Sequence, residues 1–535
     1  MAATRILPGT ASATLPISAR HGLVALYGAA IALLTWHFAR YLQDAWAAVR
    51  YPFELDYGEG IVWQQALLIP GARMYGDITR YPFIVFHYPP LYHLTVRAAI
   101  GLGGDGLLAG RTISLLSTLA TGALAAALTH DIVRPHVSRG IALTAAAVAG
   151  LVLFLYWPVA IWSPLMRVDM LATALSFLGI WLAGRAFRRP GWLYLAVLSF
   201  VLAVYTKQTC IAAPGAVLLV GLGVDRRHTL KAYGCGLLIG LAALAVLTWA
   251  SDGGFLRHIL VYNLNRYSLR AAGALVLEEW PQSLFLILAL GGLAAGWKAP
   301  ARPPGSPPAE SLLQRVRLDA TARSMAVLTL YLLISTVMIT TLGKSGAKLN
   351  YLIEWMCLWS VLTGILVAAT LARVVSATGR WAAPPGHDKR VALALLLPAA
   401  LMVAIRLMPT PRYDVDRKPG HVRQLETLVA EISDARGPVL SDDMVLLLRA
   451  GKGVPWEPAI FAELASTGRW DEHLITSMIA DRAFAFILTR GQPGTELYDA
   501  RYTPAVTQAI QQAYPRTGQM AGRTLHLPPA HDQAP

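Results

Sequence analysis

Glu54-Leu55-Asp56-Tyr57-Gly58-Glu59-Gly60 sets three carboxylates within six residues, shortly after an apolar run at 22–39. Acidic groups are costly beside lipid, so a membrane chain that keeps them there has chemistry or transport to do with them. Outward from this stretch the chain is mostly apolar. Of its 535 residues, 55% are hydrophobic and 14% charged, with a mean hydropathy of +0.48. A soluble domain carries about 25% charged residues, so the composition excludes an ordinary soluble protein. Many apolar runs approach the roughly 20 residues that span a bilayer. Spans are expected at 22–39, 108–129, 140–157, 168–185, 191–206, 209–224, 232–250, 281–297, 324–342, 351–372 and 391–408, with 191–224 readable as two short helices or one broken one. The fold class is an α-helical polytopic membrane protein of about eleven transmembrane helices. The first run begins late and lacks a small-residue cleavage site, so it reads as a retained helix and not a signal peptide.

The formal net charge is +15. Its distribution argues for topology and against a nucleic-acid partner. Arg134 and Arg139; Arg185, Arg188 and Arg189; Arg226, Arg227 and Lys231; Lys298, Arg302, Arg315 and Arg317; and Arg373, Arg380, Lys389 and Arg390 fall in alternate loops. The positive-inside rule makes those loops cytoplasmic, together with the N-terminal segment 1–21 that carries Arg5 and Arg20. An odd number of spans then puts the C-terminal segment outside. Cys210, Cys235 and Cys357 all lie in apolar runs without metal-ligand spacing and read as small core residues.

Three regions follow: a cytoplasmic N-terminus 1–21, a membrane body 22–408 with a long first outer loop 40–107, and a segment 409–535. Within the body, 299–308 (Ala-Pro-Ala-Arg-Pro-Pro-Gly-Ser-Pro-Pro) is a linker by composition. From 409 on, hydropathy drops. Gly437–Asp443 reads as a strand leaving into a turn and Phe484–Thr489 as a second, buried strand, and 461–467 and 471–479 have helical spacing. A small extracytoplasmic α/β domain is expected there. Asp442 and Asp443 invite a metal reading, but strand-end aspartates more often cap a turn or helix.

Four outer-face features are expected to converge. Glu54, Asp56 and Glu59 offer a carboxylate that accepts a proton from an attacking hydroxyl, or else caps the helix that follows. His87-Tyr88-Pro89-Pro90-Leu91-Tyr92 is a rigid aromatic corner that also starts a helix. Arg167 with Asp169, Lys207 beside Gln208, and Lys344 with Lys348 sit at outer ends of spans, where the positive-inside rule disfavours cations. Phosphate binding is one reason for them; snorkelling or local pairing is the other. The loop 251–280, with Asn263, Arg266 and Tyr267, suits a sugar-phosphate or lipid head group, and equally an interfacial helix.

Taken in order, the acidic first loop, Gly71-Ala72-Arg73-Met74-Tyr75-Gly76-Asp77, Tyr88-Pro89-Pro90-Leu91, Arg167-Val168-Asp169-Met170, Tyr205-Thr206-Lys207-Gln208-Thr209 and Asn350-Tyr351-Leu352-Ile353-Glu354 resemble the GT-C class of polytopic glycosyltransferases. The likeness is to the branch of protein O-mannosyltransferases and lipid A aminoarabinose transferases, over about 20–370. The resemblance implies an inverting transfer of a sugar from a polyprenyl-phosphate donor to a lipid, glycan or protein acceptor, at a bacterial inner membrane. A first-loop acid would activate the acceptor: Asp56 first, Glu59 as orienting partner or base, then Glu54. Glu54, Tyr57, Asp77, His87, Tyr88, Arg167, Lys207, Gln208, Arg266, Lys344, Lys348, Asn350 and Tyr351 would bind substrate. The family commonly has adjacent Asp-Glu, whereas here Gly58 precedes Glu59. No dedicated metal-ligand set is visible, although the acids with Asp77 leave room for a divalent cation, Mg or Mn. The main alternative is a lipid or sugar transporter or flippase. Transporters favour mid-span charges and paired repeats, and this chain shows neither pattern.

Overall fold

The computed structural model describes residues 17–278, 282–298, 311–375, 387–408, 413 and 420–530. The N-terminal stretch 1–16 and the 299–308 linker lie outside them. Each of the eleven expected runs falls on a helix: Ile17–Arg50, Gly106–Val133, Arg139–Val152, Asp169–Ala186, Trp192–Thr206, Ala212–Val224, Arg226–Ala250, Ser283–Trp297, Ala320–Met338, Ile353–Val375 and His387–Leu407. Five described stretches are long and apolar enough to cross a membrane alone, or six if Leu269–Glu278 and Ser283–Trp297 form one broken span. The expectation of about eleven is thus a count of apolar helices, several shorter than a bilayer. Trp192–Thr206 and Ala212–Val224 are separate short helices, interrupted at Lys207.

Local chemistry sets the starts. Asp105, Ser138, Asp225 and Asp319 each cap a helix by accepting a backbone N–H from its first turn. Pro89 and Pro90 lead into the short helix Leu91–Gly101, since proline costs nothing where a helix has no N–H partner to lose. The window around Leu349–Arg373 is 89% buried, whereas that of Arg226–Ala250 is 11% buried. One lies at the bundle's centre and the other is an outer helix.

The C-terminal segment forms a four-stranded mixed sheet: β1 (Leu440–Ser441), β2 (Ile487–Thr489), β3 (Arg516–Met520) and β4 (Arg523–Leu527), in the order β1-β2-β4-β3. The first pair is parallel, the others antiparallel. The β3–β4 hairpin is absent from the sequence reading. Its turn places Ala521 at φ 49° and Gly522 at φ 73°, the left-handed pair that a tight hairpin requires; Ala521 hides that signal.

The segment is not an appendage. Phe53, Ile61, Ile69, Tyr75 and Phe86 of the first loop share a core with Leu425, Leu428, Ile432, Leu446 and Leu447. Ile78, Phe83 and Val85 pack with Trp456, Phe461 and Trp470. The loop helix Gly58–Leu68 lies so close to Met444 that a Cβ on Gly60 would stand 2.6 Å from the Met444 Cβ. First loop and C-terminal segment therefore form one layer capping one end of the bundle.

Candidate active site

The acidic stretch is organised by an arginine that the sequence reading overlooked. Arg111, in the first turns of Gly106–Val133, is fully buried and pairs bidentately with Glu59, its Nε donating to Oε1 at 2.7 Å and its Nη2 to Oε2 at 2.6 Å. It also donates to the carbonyls of Ala48, Tyr51 and Phe53. Glu59 in turn accepts the backbone N–H groups of Leu55, Asp56 and Met166. Every lone pair on Glu59 is engaged and none faces solvent. Of the two roles expected for Glu59, orienting partner or base, this geometry suits the first: it anchors the loop and leaves no lone pair free for a proton. A buried arginine in an apolar helix demands such a partner, and that was the available signal.

Asp56 stands differently. Its Oδ2 accepts from Arg167 Nη1 at 3.1 Å and from the Gly58 N–H at 3.0 Å, and its Oδ1 lies 3.4 Å from Lys348 Nζ. Burial pushes its pKa up, but Arg167 and Lys348 outweigh that and hold it below the usual carboxylate value. The carboxyl is therefore ionised across the neutral range. Gly58 makes the approach of Arg167 feasible: a Cβ there would sit 1.5 Å from the guanidinium nitrogen. Any larger residue at position 58 would take that space.

Beneath this lip, Lys207 Nζ donates to Asp169 Oδ1 at 2.7 Å, joined by Asn350 Nδ2 at 2.8 Å. The Lys207 ammonium lies 4.7 Å from the centre of the Tyr351 ring. These groups line a polar cavity of about 30 Å³ with Thr209, Thr341 and Glu354. The other Asp169 oxygen has no hydrogen-bond partner among the described residues. Tyr88 faces the same charges. Burial pushes its hydroxyl up to about 12, with Arg167, Asp169, Tyr351 and Lys207 acting on it electrostatically.

Lys344 is half-buried, and among the described residues its ammonium reaches only the Asn263 amide oxygen, at 3.2 Å. Burial lowers its pKa, with no carboxylate offsetting the effect. It shares the connection 339–352 with Lys348, whose side chain is 59% exposed. The Asn263 and Gln208 amides both donate to the His87 carbonyl at 3.0 Å, so the aromatic corner and the lysine strip are one hydrogen-bonded unit. The His87 ring lies 3.5 Å from Glu457, a carboxylate of the C-terminal segment.

Four expected substrate residues point elsewhere. Glu54 pairs with Arg490 at 2.8 Å, inside a buried network in which Arg490 and Arg523 hold Asp443 and Arg501 holds Asp442. Burial raises the pKa of Glu54 despite Arg490. Tyr57 accepts the Ala459 N–H at 3.1 Å and lies under Arg501. Arg266, 68% exposed, pairs with Glu463 at 3.0 Å and fastens the 263–268 loop to the C-terminal segment. Asp77 caps a turn through Thr79. Asp56, Glu59 and Asp77 do not assemble, and among the described residues no group of three or more His, Cys, Asp or Glu is placed to hold a metal. Asp56 and Glu59 are paired with cations instead, and Asp442 and Asp443 face arginines in the same way.

No family model matches the chain, and no curated protein matches it. Among solved structures it is similar to ArnT from Cupriavidus metallidurans bound to undecaprenyl phosphate, with TM-score 0.59, 15% identity, and coverage of 94% of this chain and 99% of that one. The apo state of the same enzyme gives TM-score 0.57 at 16% identity, covering 93% and 98%. A weaker similarity, TM-score 0.47 at 11% identity over 93% of this chain and 75% of that one, is to the oligosaccharyltransferase AglB from Archaeoglobus fulgidus in complex with an inhibitory peptide and a dolichol-phosphate.

Proposed function

We propose that this chain, whose fold is that of the GT-C class, is an integral membrane glycosyltransferase that moves a sugar from a polyprenyl-phosphate donor to an envelope acceptor. The observation that carries the reading is the placement of an ionised Asp56 beside Lys348, with the acid-free Lys344 on the same connection. In the proposed reaction Asp56 accepts the proton of an acceptor hydroxyl. The hydroxyl oxygen bonds to the anomeric carbon from the face opposite the phosphate, and the carbon–oxygen bond to phosphate breaks. The polyprenyl phosphate leaves with the electron pair, and inversion follows from in-line attack.

The cations divide between two tasks. Lys207 is held by Asp169 and Asn350, so it shapes the floor of the site. Lys344 and Lys348 are the ones able to meet the leaving phosphate. Lys348, loosely placed at 3.4 Å, would turn from Asp56 to the donor phosphate, and the carboxylate would become more basic once substrate is bound. No step passes through a metal ion. The ArnT neighbour is bound to undecaprenyl phosphate, which favours a lipid-linked donor over a soluble one. The site lies on the periplasmic side of a bacterial inner membrane in this reading, with the N-terminus cytoplasmic and the C-terminal segment, layered on the first loop, periplasmic.

The test is incubation of purified protein with radiolabelled polyprenyl-phosphate sugars, native against Asp56→Asn. Sugar transfer lost in the variant, with fold retained, supports the assignment; equal transfer by both removes it. Lys344→Ala should weaken donor affinity without lowering thermal stability, because no carboxylate is left unpaired. Lys207→Ala should lower stability, since it strands Asp169.

A further inference from the structure

A second, roomier cavity lies away from the site. About 230 Å³ in volume, it opens between helices Asp169–Ala186, Ala212–Val224 and Ala320–Met338, lined by apolar side chains such as Ile180, Leu193, Val217 and Leu328. Asp169–Ala186 runs from one to the other: Asp169 belongs to the polar site, while Ala183 and Gly184 line the cavity. From Asp169 to Gly184 the helix rises about 22 Å at ~1.5 Å per residue.

The cavity's rim is basic. Pro190, Asp225, His228 and Arg323 line it, and next to the lining residues in sequence stand Arg188, Arg189, Arg226, Arg227 and Lys231, all exposed. None of these five forms an ion pair among the described residues. Asp225, the only acid of the lining, is taken up capping its helix through the His228 N–H at 3.0 Å. Arg226 and Arg227 begin the helix Arg226–Ala250, where the macrodipole disfavours cations and favours anions. Topology explains why cations lie on this side of a membrane. It does not explain why they edge an apolar cavity.

We propose that this cavity binds an anionic phospholipid, with an acyl chain between the helices and the phosphodiester headgroup at the five cations. An apolar cavity of about 150 Å³ takes a benzene-sized ligand, so the volume here admits a stretch of acyl chain. Basic pockets between transmembrane helices hold anionic headgroups in this way. The site is distinct from the donor site and sits at the opposite end of the bundle.

Native mass spectrometry of the detergent-purified full chain tests this, titrating dioleoyl phosphatidylglycerol against dioleoyl phosphatidylcholine. The expected result is selective retention of phosphatidylglycerol. The combined variant R188Q/R189Q/R226Q/R227Q should weaken it by roughly tenfold or more. Gly184→Leu, at a lining position where an added Cβ meets nothing within 4 Å, should fill the cavity and lower retention with every cation still in place. Equal retention of both lipids overturns the proposal, as does binding unchanged in both variants. Displacement of phosphatidylglycerol by undecaprenyl phosphate also overturns it, because the cavity would then serve the donor lipid.

Discussion

The two ends of the helical bundle use arginine in opposite ways. At the end capped by the first loop, Arg111 and Arg167 are buried or nearly so and each faces a specific carboxylate. At the other end Arg185 makes an exposed pair with Asp131 at 3.3 Å and stacks on Trp181. Arg315 and Arg317 donate to the Trp297 and Gly223 carbonyls, at or near C-terminal ends of helices where the dipole welcomes a cation. The difference teaches that charge at a span's end is a topology signal when solvated and a site signal when desolvated with an acid. Burial, not residue type, separates the two.

The largest effects should come from breaking the buried pairs. Glu59→Gln leaves Arg111 charged, desolvated and facing a neutral amide, a loss of about 3–5 kcal/mol for a buried pair. Thermal unfolding of the purified protein would register it. An unchanged melting temperature would mean that the loop is held by packing alone. Asp56→Asn should leave the fold standing and lower the transfer rate by about 10²- to 10⁴-fold, the range for a general base. A pH profile adds a second reading. A carboxyl whose pKa is depressed stays a base until the pH falls below its folded value, so kcat/KM should be level from neutrality down to the ordinary carboxylate range and fall only beneath it. An acid limb near pH 6 to 7 would transfer the role to another group.

Gly58→Ala comes next. Its methyl carbon would overlap the Arg167 guanidinium at 1.5 Å, so Arg167 must swing off Asp56. A displacement of about 1 Å at a reacting group can cost on the order of a hundredfold in rate, and that is the expected fall in transfer. Restoration of activity by combining Gly58→Ala with Arg167→Lys, a slimmer cation, would locate the damage in this contact.

Much of this comparison was legible in the sequence. Apolar runs gave the helices, because burial in lipid or core needs little beyond hydropathy and length. Asp56 stands out as a first-loop acid, Arg167, Lys207, Lys344 and Lys348 as cations at span ends, and Asn350 and Tyr351 through the resemblance; the structure joins Asp56 to Arg167 and Lys348, and Lys207 and Asn350 to Asp169. What escaped was pairing across long separations. Arg111 lay inside a run read as plain span, 52 residues from Glu59, and Arg490 lies 436 residues from Glu54. The acids of the first loop look alike in sequence, yet one meets a buried arginine, one a cleft and one the C-terminal segment. Only tertiary packing sorts them, which is why Glu54 and Glu59 were grouped with Asp56. Arg266 was misread for the converse reason: an exposed arginine in an aromatic loop looks the same whether its partner is a ligand or Glu463.

The smallest predicted effect is the control that sharpens the comparison. Asp131→Asn removes the partner of Arg185 at the solvated end, where both side chains are over 40% exposed. Exposed pairs contribute roughly 0–1 kcal/mol because water and salt replace the lost attraction. The stacking of Arg185 on Trp181 survives the change. Melting temperature should shift by little, and donor turnover should match that of the native protein. If Asp131→Asn instead cost as much as Glu59→Gln, exposure would not be what separates the two ends, and reading buried ion pairs as the mark of the site would fail.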